Sequence, residues 1–246
     1  MTERATMTEI DNKFSERLNR VREKITKACE SAARPPAGVR LLAASKAQTP
    51  ESIREAADCG LVVFGENRVQ EAKQKIPLCP AQLEWHMIGH LQTNKVREAV
   101  RLFQTIHSVD SQKLLAAIDA AGDLTGRVMP VLLEVNVSGE SSKFGLAPES
   151  VPALLEYANT LKRVEITGLM TIPPATKDPE LARPFFQKLR LFRDQWRQQA
   201  GLALNELSMG MSHDFEAAIK EGATIIRLGT ILFGKRETNE RLKAEG

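Results

Sequence analysis

Apolar residues recur along this chain with two different periods, one suited to helices and one to buried strands. Between positions 10 and 33, Ile10, Phe14, Leu18, Val21 and Ile25 fall on one stripe of a helix, and Arg34-Pro35-Pro36 ends it. Beyond the prolines, short apolar runs predict strands at 39–46, 61–66, 84–89, 105–110, 128–138, 164–172, 206–211 and 224–230. Amphipathic stretches predict helices at 50–59, 68–76, 93–103, 111–121, 148–161, 179–200 and 213–221, several of them preceded by Ser, Thr, Asn or Asp as N-cap candidates.

Strict strand-then-helix alternation implies right-handed crossovers and a parallel sheet covered by helices. Eight strands are the number at which such a sheet closes, so the predicted fold class is α/β, a single (β/α)8 TIM barrel with an extra N-terminal helix. The competing architecture, an open doubly wound sheet, usually carries a G-x-G-x-x-G turn after its first strand, and the sequence has none there. No Pro/Gly/Ser-rich linker divides the chain, which reads as one domain over 1–246 with a frayed start over 1–8.

Composition narrows the function classes. The 246 residues carry a net charge of +3, and Lys and Arg are interleaved with Asp and Glu along the predicted helices. That pattern describes solvated helix faces and not a nucleic-acid surface. The first residues are polar and no apolar run is long enough to span a bilayer, which argues against a signal peptide or membrane span. Cys29, Cys59 and Cys79 are odd in number and lack C-x-x-C spacing, as expected of a reducing, cytoplasmic location. Nothing resembles a heptad, so a monomer is expected.

In a barrel, functional side chains gather at the C-terminal ends of the strands. Lys46 closes the first apolar run, Leu41-Leu42-Ala43-Ala44-Ser45. Burial there would disfavour the ammonium and favour the neutral amine that condenses with a carbonyl; the alternative is a packed stem whose head reaches water. At the other end of the chain, Ser208-Met209-Gly210-Met211-Ser212-His213-Asp214 turns from strand to helix, and Gly229-Thr230 offers a second bend with a hydroxyl. Loops after the seventh and eighth strands are the usual phosphate seat of a barrel. A ligand bearing both an aldehyde and a phosphate would bridge the two halves, as pyridoxal 5′-phosphate (PLP) does with Lys46 as its Schiff-base lysine. A sugar-phosphate aldolase is the competing chemistry, although its lysine more commonly sits on a later strand and no acid/base partner is evident.

The motifs resemble those of the pyridoxal phosphate homeostasis proteins, which share the barrel of the alanine racemase N-terminal domain. The resemblance runs from Leu41 to Arg236. It rests on Ser45-Lys46, Phe64-Gly65-Glu66-Asn67-Arg68-Val69-Gln70-Glu71, Trp85-His86-Met87-Ile88-Gly89-His90-Leu91-Gln92-Thr93-Asn94-Lys95, Val135-Asn136-Val137-Ser138, and Lys143-Phe144-Gly145. Gly168-Leu169-Met170-Thr171-Ile172, Ser208-Met209-Gly210-Met211-Ser212 and Arg227-Leu228-Gly229-Thr230-Ile231-Leu232-Phe233-Gly234 extend it. The resemblance implies that Lys46 carries the cofactor, that Ser212, Gly229 and Thr230 hold its phosphate, and that Arg227 faces the pyridine nitrogen. Asn67, Asn136, Met170 and Met209 would line the pocket, with Ser208 opening the phosphate loop. A permanently charged Arg cannot accept the pyridinium proton, so the ring would stay a weak electron sink. One departure stands beside the lysine: the family commonly follows Ser-Lys with Thr and an early Pro, whereas this chain has Ala47-Gln48-Thr49-Pro50.

Racemisation needs two bases, and in alanine racemase the second comes from a β domain after the barrel. The chain stops soon after Gly234, and Tyr157, its only tyrosine, falls mid-helix. The expectation is therefore a carrier or buffer in intracellular PLP and amino-acid homeostasis that hands PLP to apo-enzymes, without catalysis. A weak PLP-dependent racemase and a phosphate-binding barrel without a Schiff base are the rival readings. His86 and His90 have i, i+4 spacing but a strand context and no third ligand, so no metal is expected. Lys143 is a further amine that could take PLP in transit, or an exposed loop lysine. His213 and Asp214 read as helix-start residues.

Overall fold

The computed structural model describes residues 3–140 and 143–234. Met1, Thr2, Ser142 and Arg236, each within a segment read above, lie outside the described residues, as does the side chain of Ile10. Eight parallel strands close into a barrel in sequence order. They are β1 (Arg40–Ala44), β2 (Val63–Glu66), β3 (Glu84–Met87), β4 (Thr105–Val109), β5 (Met129–Glu134), β6 (Val164–Met170), β7 (Glu206–Met211) and β8 (Ile225–Leu228). The seam closes by β1 pairing with β8, Arg40 opposite Ile225 through Ala43 opposite Leu228.

The helices are α1 (Glu3–Ser31), α2 (Pro50–Asp58), α3 (Val69–Lys75), α4 (Val96–Leu102), α5 (Gln112–Thr125), α6 (Val151–Ala158), α7 (Arg183–Ala200), α8 (Phe215–Lys220) and α9 (Thr230–Phe233). Local signals account for several of their starts. Thr49 caps α2 by accepting from the Ser52 amide, with Pro50 in the first turn, and Ser111 caps α5 by accepting from the Leu114 amide. The predicted starts of α4, α6 and α7 fall instead on short 3-10 turns at Thr93–Lys95, Pro148–Ser150 and Pro179–Ala182. α9 was not predicted, because four residues after a Gly carry no helical period.

The extra helix is a working part of the core. Phe14, Leu18, Val21 and Ile25 are buried, and the Phe14 ring lies 5.5 Å from that of Phe233 at the end of α9. At about 25 cal/mol per Å² of apolar area, four such side chains contribute several kcal/mol together, roughly 1.5–3 each. The main core fills the space between strands and helices. A separate small cluster of Leu42, Val63, Ile88 and Ile225 occupies the lumen. Period-two alternation puts Arg227 on the same face as Ile225, and His86 on the same face as Ile88, so the lumen is part apolar and part polar.

The strands stop short of their predicted ends at the mouth. β1 ends at Ala44 instead of Lys46, β5 at Glu134 instead of position 138, and β6 at Met170 instead of Ile172. The backbone there leaves the ladder to serve the loops, as where the Asn136 amide donates to the Leu146 carbonyl. No helix among the described residues is long and apolar enough to cross a membrane.

Candidate functional site

Lys46 sits in a tight turn beyond β1, closed by the Gln48 amide donating to the Ser45 carbonyl at 3.0 Å. Ala47 completes the turn at φ 58°, a left-handed conformation that a residue with a Cβ adopts at some cost. The Lys46 side chain is exposed at the mouth, which matches the second of the two sequence readings, a head that reaches water, and not the buried amine. The reason is local: the strand has ended, and Ser45, fully buried, takes the interior position instead.

Ser45 anchors this turn through a buried network. Its hydroxyl donates to Glu66 Oε1 at 2.7 Å, and Lys75 Nζ donates both to that same oxygen, at 2.7 Å, and to the Ser45 carbonyl, at 2.9 Å. Glu66 is wholly buried and its Oε2 has no hydrogen-bond partner among the described residues. Burial raises the Glu66 carboxyl above its ordinary value, opposed by the bonds from Lys75 and Ser45. The position of Lys46 is thus tied to α3 through an ion pair that sequence reasoning missed, because Lys75 lies on a helix whose polar residues look solvated.

Across the mouth, β7 and β8 supply the second half. The Ser212 hydroxyl accepts from the Gly229 amide at 3.2 Å and the Ile231 amide at 3.4 Å, so a hydroxyl and two backbone donors converge. A Cβ at Gly229 would come within 3.3 Å of the Ala44 carbonyl, which keeps this backbone bare and close to β1. Arg227 is buried at 4% exposure; its Nη1 donates to Ser208 Oγ at 2.6 Å and its Nη2 to the Thr171 carbonyl at 2.9 Å. Burial lowers its pKa to about 10, countered in part by Glu134 and Asp214, so it stays a cation at neutral pH.

These pieces enclose one cavity of about 340 Å³. Of the residues predicted from sequence, Lys46, Asn67, Ser212, Arg227, Gly229 and Thr230 line it. Ile88, Ile172, Met211 and His213 line it as well, apolar or loop positions without a chemical signature. Ser208, Met170 and Met209 are buried and are not among the residues that line it. Asn136 does not line the cavity: its amide donates to the Glu140 carbonyl and accepts from Ser138 Oγ and the Gly139 amide, shaping the loop after β5. Thr49, next to the departure from the family pattern, caps α2. Lys143 lies 3.6 Å from Glu140 and lines no part of the cavity. An adjoining cleft of about 400 Å³ begins at Asn67 and is lined by Arg68, His90 and Lys95 among others. It holds neither Lys46 nor the β7 and β8 loops, so the smaller cavity is the candidate site.

His86 and His90 do not act together. His86 is buried in the lumen, while His90 faces Asp110 at 3.2 Å and stacks on Phe144 with ring centroids 4.1 Å apart. Among the described residues no group of three or more His, Cys, Asp or Glu is arranged to hold a metal. Asp214 accepts from the Met211 amide at 2.7 Å and stiffens the phosphate-side loop; burial raises its carboxyl.

Glu134, at the end of β5, was also missed. Burial, with Asp110 adding repulsion, raises its pKa to about 7 from 4.5. A carboxyl with a raised folded pKa holds its proton longer in the native state, so the native state loses stability as pH rises from 4.5 to about 7. Glu134→Gln removes that loss. The stability of the variant relative to wild type is expected to rise by about 3 kcal/mol across this window, measured by urea unfolding at several pH values; parallel pH profiles would contradict it.

The chain matches the family model described as alanine racemase, N-terminal domain, over residues 17–237. It is 52% identical to the pyridoxal phosphate homeostasis protein of Aquifex aeolicus, covering 90% of this chain and 98% of that one. The protein of the same name from Pseudomonas aeruginosa is 43% identical, over 91% of this chain and 96% of that one. Among solved structures, PipY of Synechococcus elongatus with PLP bound is 40% identical with a TM-score of 0.80, covering 90% of this chain and all of PipY. Alanine racemase of Clostridium difficile, at 17% identity and a TM-score of 0.70, shares the barrel alone. An exposed lysine, a buried arginine and a hydroxyl–amide seat around one barrel mouth, together with this likeness along nearly the whole chain, make it a member of the pyridoxal phosphate homeostasis protein family, built on the alanine racemase N-terminal fold.

Proposed function

We propose that the chain binds pyridoxal 5′-phosphate in the 340 Å³ cavity and acts as an intracellular carrier and buffer of it, with Lys46 as the point of covalent attachment. The observation that supports this most is the placement of a primary amine, a buried guanidinium and a hydroxyl with two amides around a single cavity. The residues suit the group. The Ser212 hydroxyl and the amides of Gly229 and Ile231 are donors with which a phosphate can exchange, and the bare Gly229 leaves room for it. When bound, PLP supplies an aldehyde that a primary amine converts to a C=N bond with loss of water.

In this reading Lys46 provides that amine, Ser212, Gly229 and Thr230 hold the phosphate, and Arg227 donates toward the ring nitrogen. Asn67 packs at the open side, Met170 and Met209 back the pocket, Ser208 acts through Arg227, and Asn136 through the loop it shapes. A guanidinium that stays charged offers the ring nitrogen a hydrogen bond and no proton. Tyr157, in α6, lines no part of the cavity, so it does not serve as a proton shuttle there. This combination favours holding and releasing PLP over turning over amino acids. A cytoplasmic, monomeric protein that passes PLP to apo-enzymes and so influences amino-acid pools is the corresponding biological reading.

The test is to load the protein with PLP, reduce with borohydride and map the modified peptide. Attachment at Lys46 is expected. Attachment confined to another lysine, or none, overturns the assignment.

A further inference from the structure

Arg227 is the start of a longer chain of hydrogen bonds. Beyond Ser208 Oγ lies His107 Nδ1 at 2.9 Å; His107 Nε2 is 2.8 Å from His86 Nδ1; His86 Nε2 is 2.6 Å from Glu84 Oε1. His86, His107, Ser208 and Arg227 are each the third residue of their strands, β3, β4, β7 and β8. The chain therefore crosses the lumen from β8 through β7 and β4 to β3 and then descends along β3 to Glu84, at the opposite mouth. There Glu84 meets Arg40, the first residue of β1, at 4.0 Å.

For two neutral imidazoles, the chemistry of the two ends fixes every hydrogen between them. Arg227 can only donate, so Ser208 Oγ accepts from it and has one hydrogen to give. Glu84, held below its ordinary pKa first by the bond from His86, is a carboxylate that can only accept, so His86 carries its hydrogen on Nε2. A neutral His86 accepts at Nδ1, which places the His107 hydrogen on Nε2 and leaves His107 Nδ1 to accept from Ser208. Complete burial favours the neutral form of His107, and its pKa falls well below the ordinary value. Each imidazole nitrogen along the path has a partner.

We propose that His107 and His86 are positioning residues for Arg227: they form a one-way hydrogen-bond chain that commits the Ser208 hydrogen away from the guanidinium and so holds Ser208 as its acceptor. Without His107 the Ser208 hydroxyl is free to rotate, and one of the two bonds that aim Arg227 is lost. The chain stands on its own geometry; its effect on ligand affinity rests on the PLP reading above.

Two measurements test it. In the ligand-free wild-type protein at pH 7.5, imidazole nitrogen–proton NMR correlations are expected to show both His86 and His107 protonated on Nε2 alone. Protonation of either ring on Nδ1, or on both nitrogens, reverses or breaks the chain and overturns the proposal. In the second, PLP affinity and the visible spectrum are compared among wild type, His107→Phe and His107→Asn, whose amide oxygen can replace the Nδ1 acceptor. His107→Phe is expected to weaken PLP about tenfold and move the absorption maximum, with His107→Asn within about threefold of wild type. Equal weakening in both variants, or none in a folded His107→Phe, overturns the positioning role. If wild type binds no PLP, the cofactor assignment fails while the NMR result still decides the chain. That same spectrum of the wild-type protein decides the case where His107→Phe does not fold.

Discussion

Lys75→Met is expected to remove about 3–5 kcal/mol of stability at neutral pH. Among the described residues Lys75 Nζ is the only cation bonded to the wholly buried Glu66, and Met fills a similar volume without a charge. What remains is a carboxylate whose one good partner is the Ser45 hydroxyl. The sign of the pH dependence follows from the direction in which burial already moves Glu66. Its raised folded pKa rises further without Lys75, so the folded variant takes up a proton more readily than the unfolded chain. The deficit of Lys75→Met is therefore greatest near pH 7.5 and shrinks on acidification, which urea midpoints at pH 7.5 and 5 would show. A deficit that is small or independent of pH would mean that the pair does not tie α3 to the Lys46 turn.

The second large effect is at Gly89, just past β3. A Cβ there would lie 2.4 Å from the Asn67 carbonyl oxygen and 2.7 Å from its Cα, both backbone atoms that cannot rotate away. The Ser108 hydroxyl also holds the Gly89 carbonyl at 2.6 Å, so the loop cannot simply back off. Gly89→Ala is expected to cost about 2–3 kcal/mol. It should weaken PLP binding about tenfold by displacing Asn67 from the cavity edge, as ligand titration alongside thermal unfolding would reveal. Wild-type affinity in the variant would show that Asn67 contributes nothing to the site.

Much of this was legible before the fold was seen, for identifiable reasons. Eight apolar runs separated by amphipathic stretches specify a closed parallel barrel, because buried strands and half-exposed helices leave different periods. The lysine after β1, the Ser212 turn after β7 and the Gly229-Thr230 bend after β8 were visible because residue type and strand order together mark the barrel mouth. The strand ends were less legible: Ser45-Lys46 and Asn136 continue an apolar run, and only the backbone shows where the ladder stops. Lys75, Glu134 and His107 were hidden for another reason. Their roles depend on partners 9 to 101 positions away, and nothing local distinguishes a buried paired charge from a solvated one. The same limit left both readings of Lys46 open, a buried amine or a head at water, because its environment is set by the turn at Ala47 and not by the apolar residues before it.

The central claim is that Lys46 fixes PLP in this cavity, and the visible absorption spectrum of the purified protein tests it most directly. Wild type with added PLP is expected to develop a visible band that borohydride removes, while Lys46→Ala with the same PLP develops none. A wild-type protein that stays colourless in excess PLP, or a Lys46→Ala variant that shows the full band, would contradict the account.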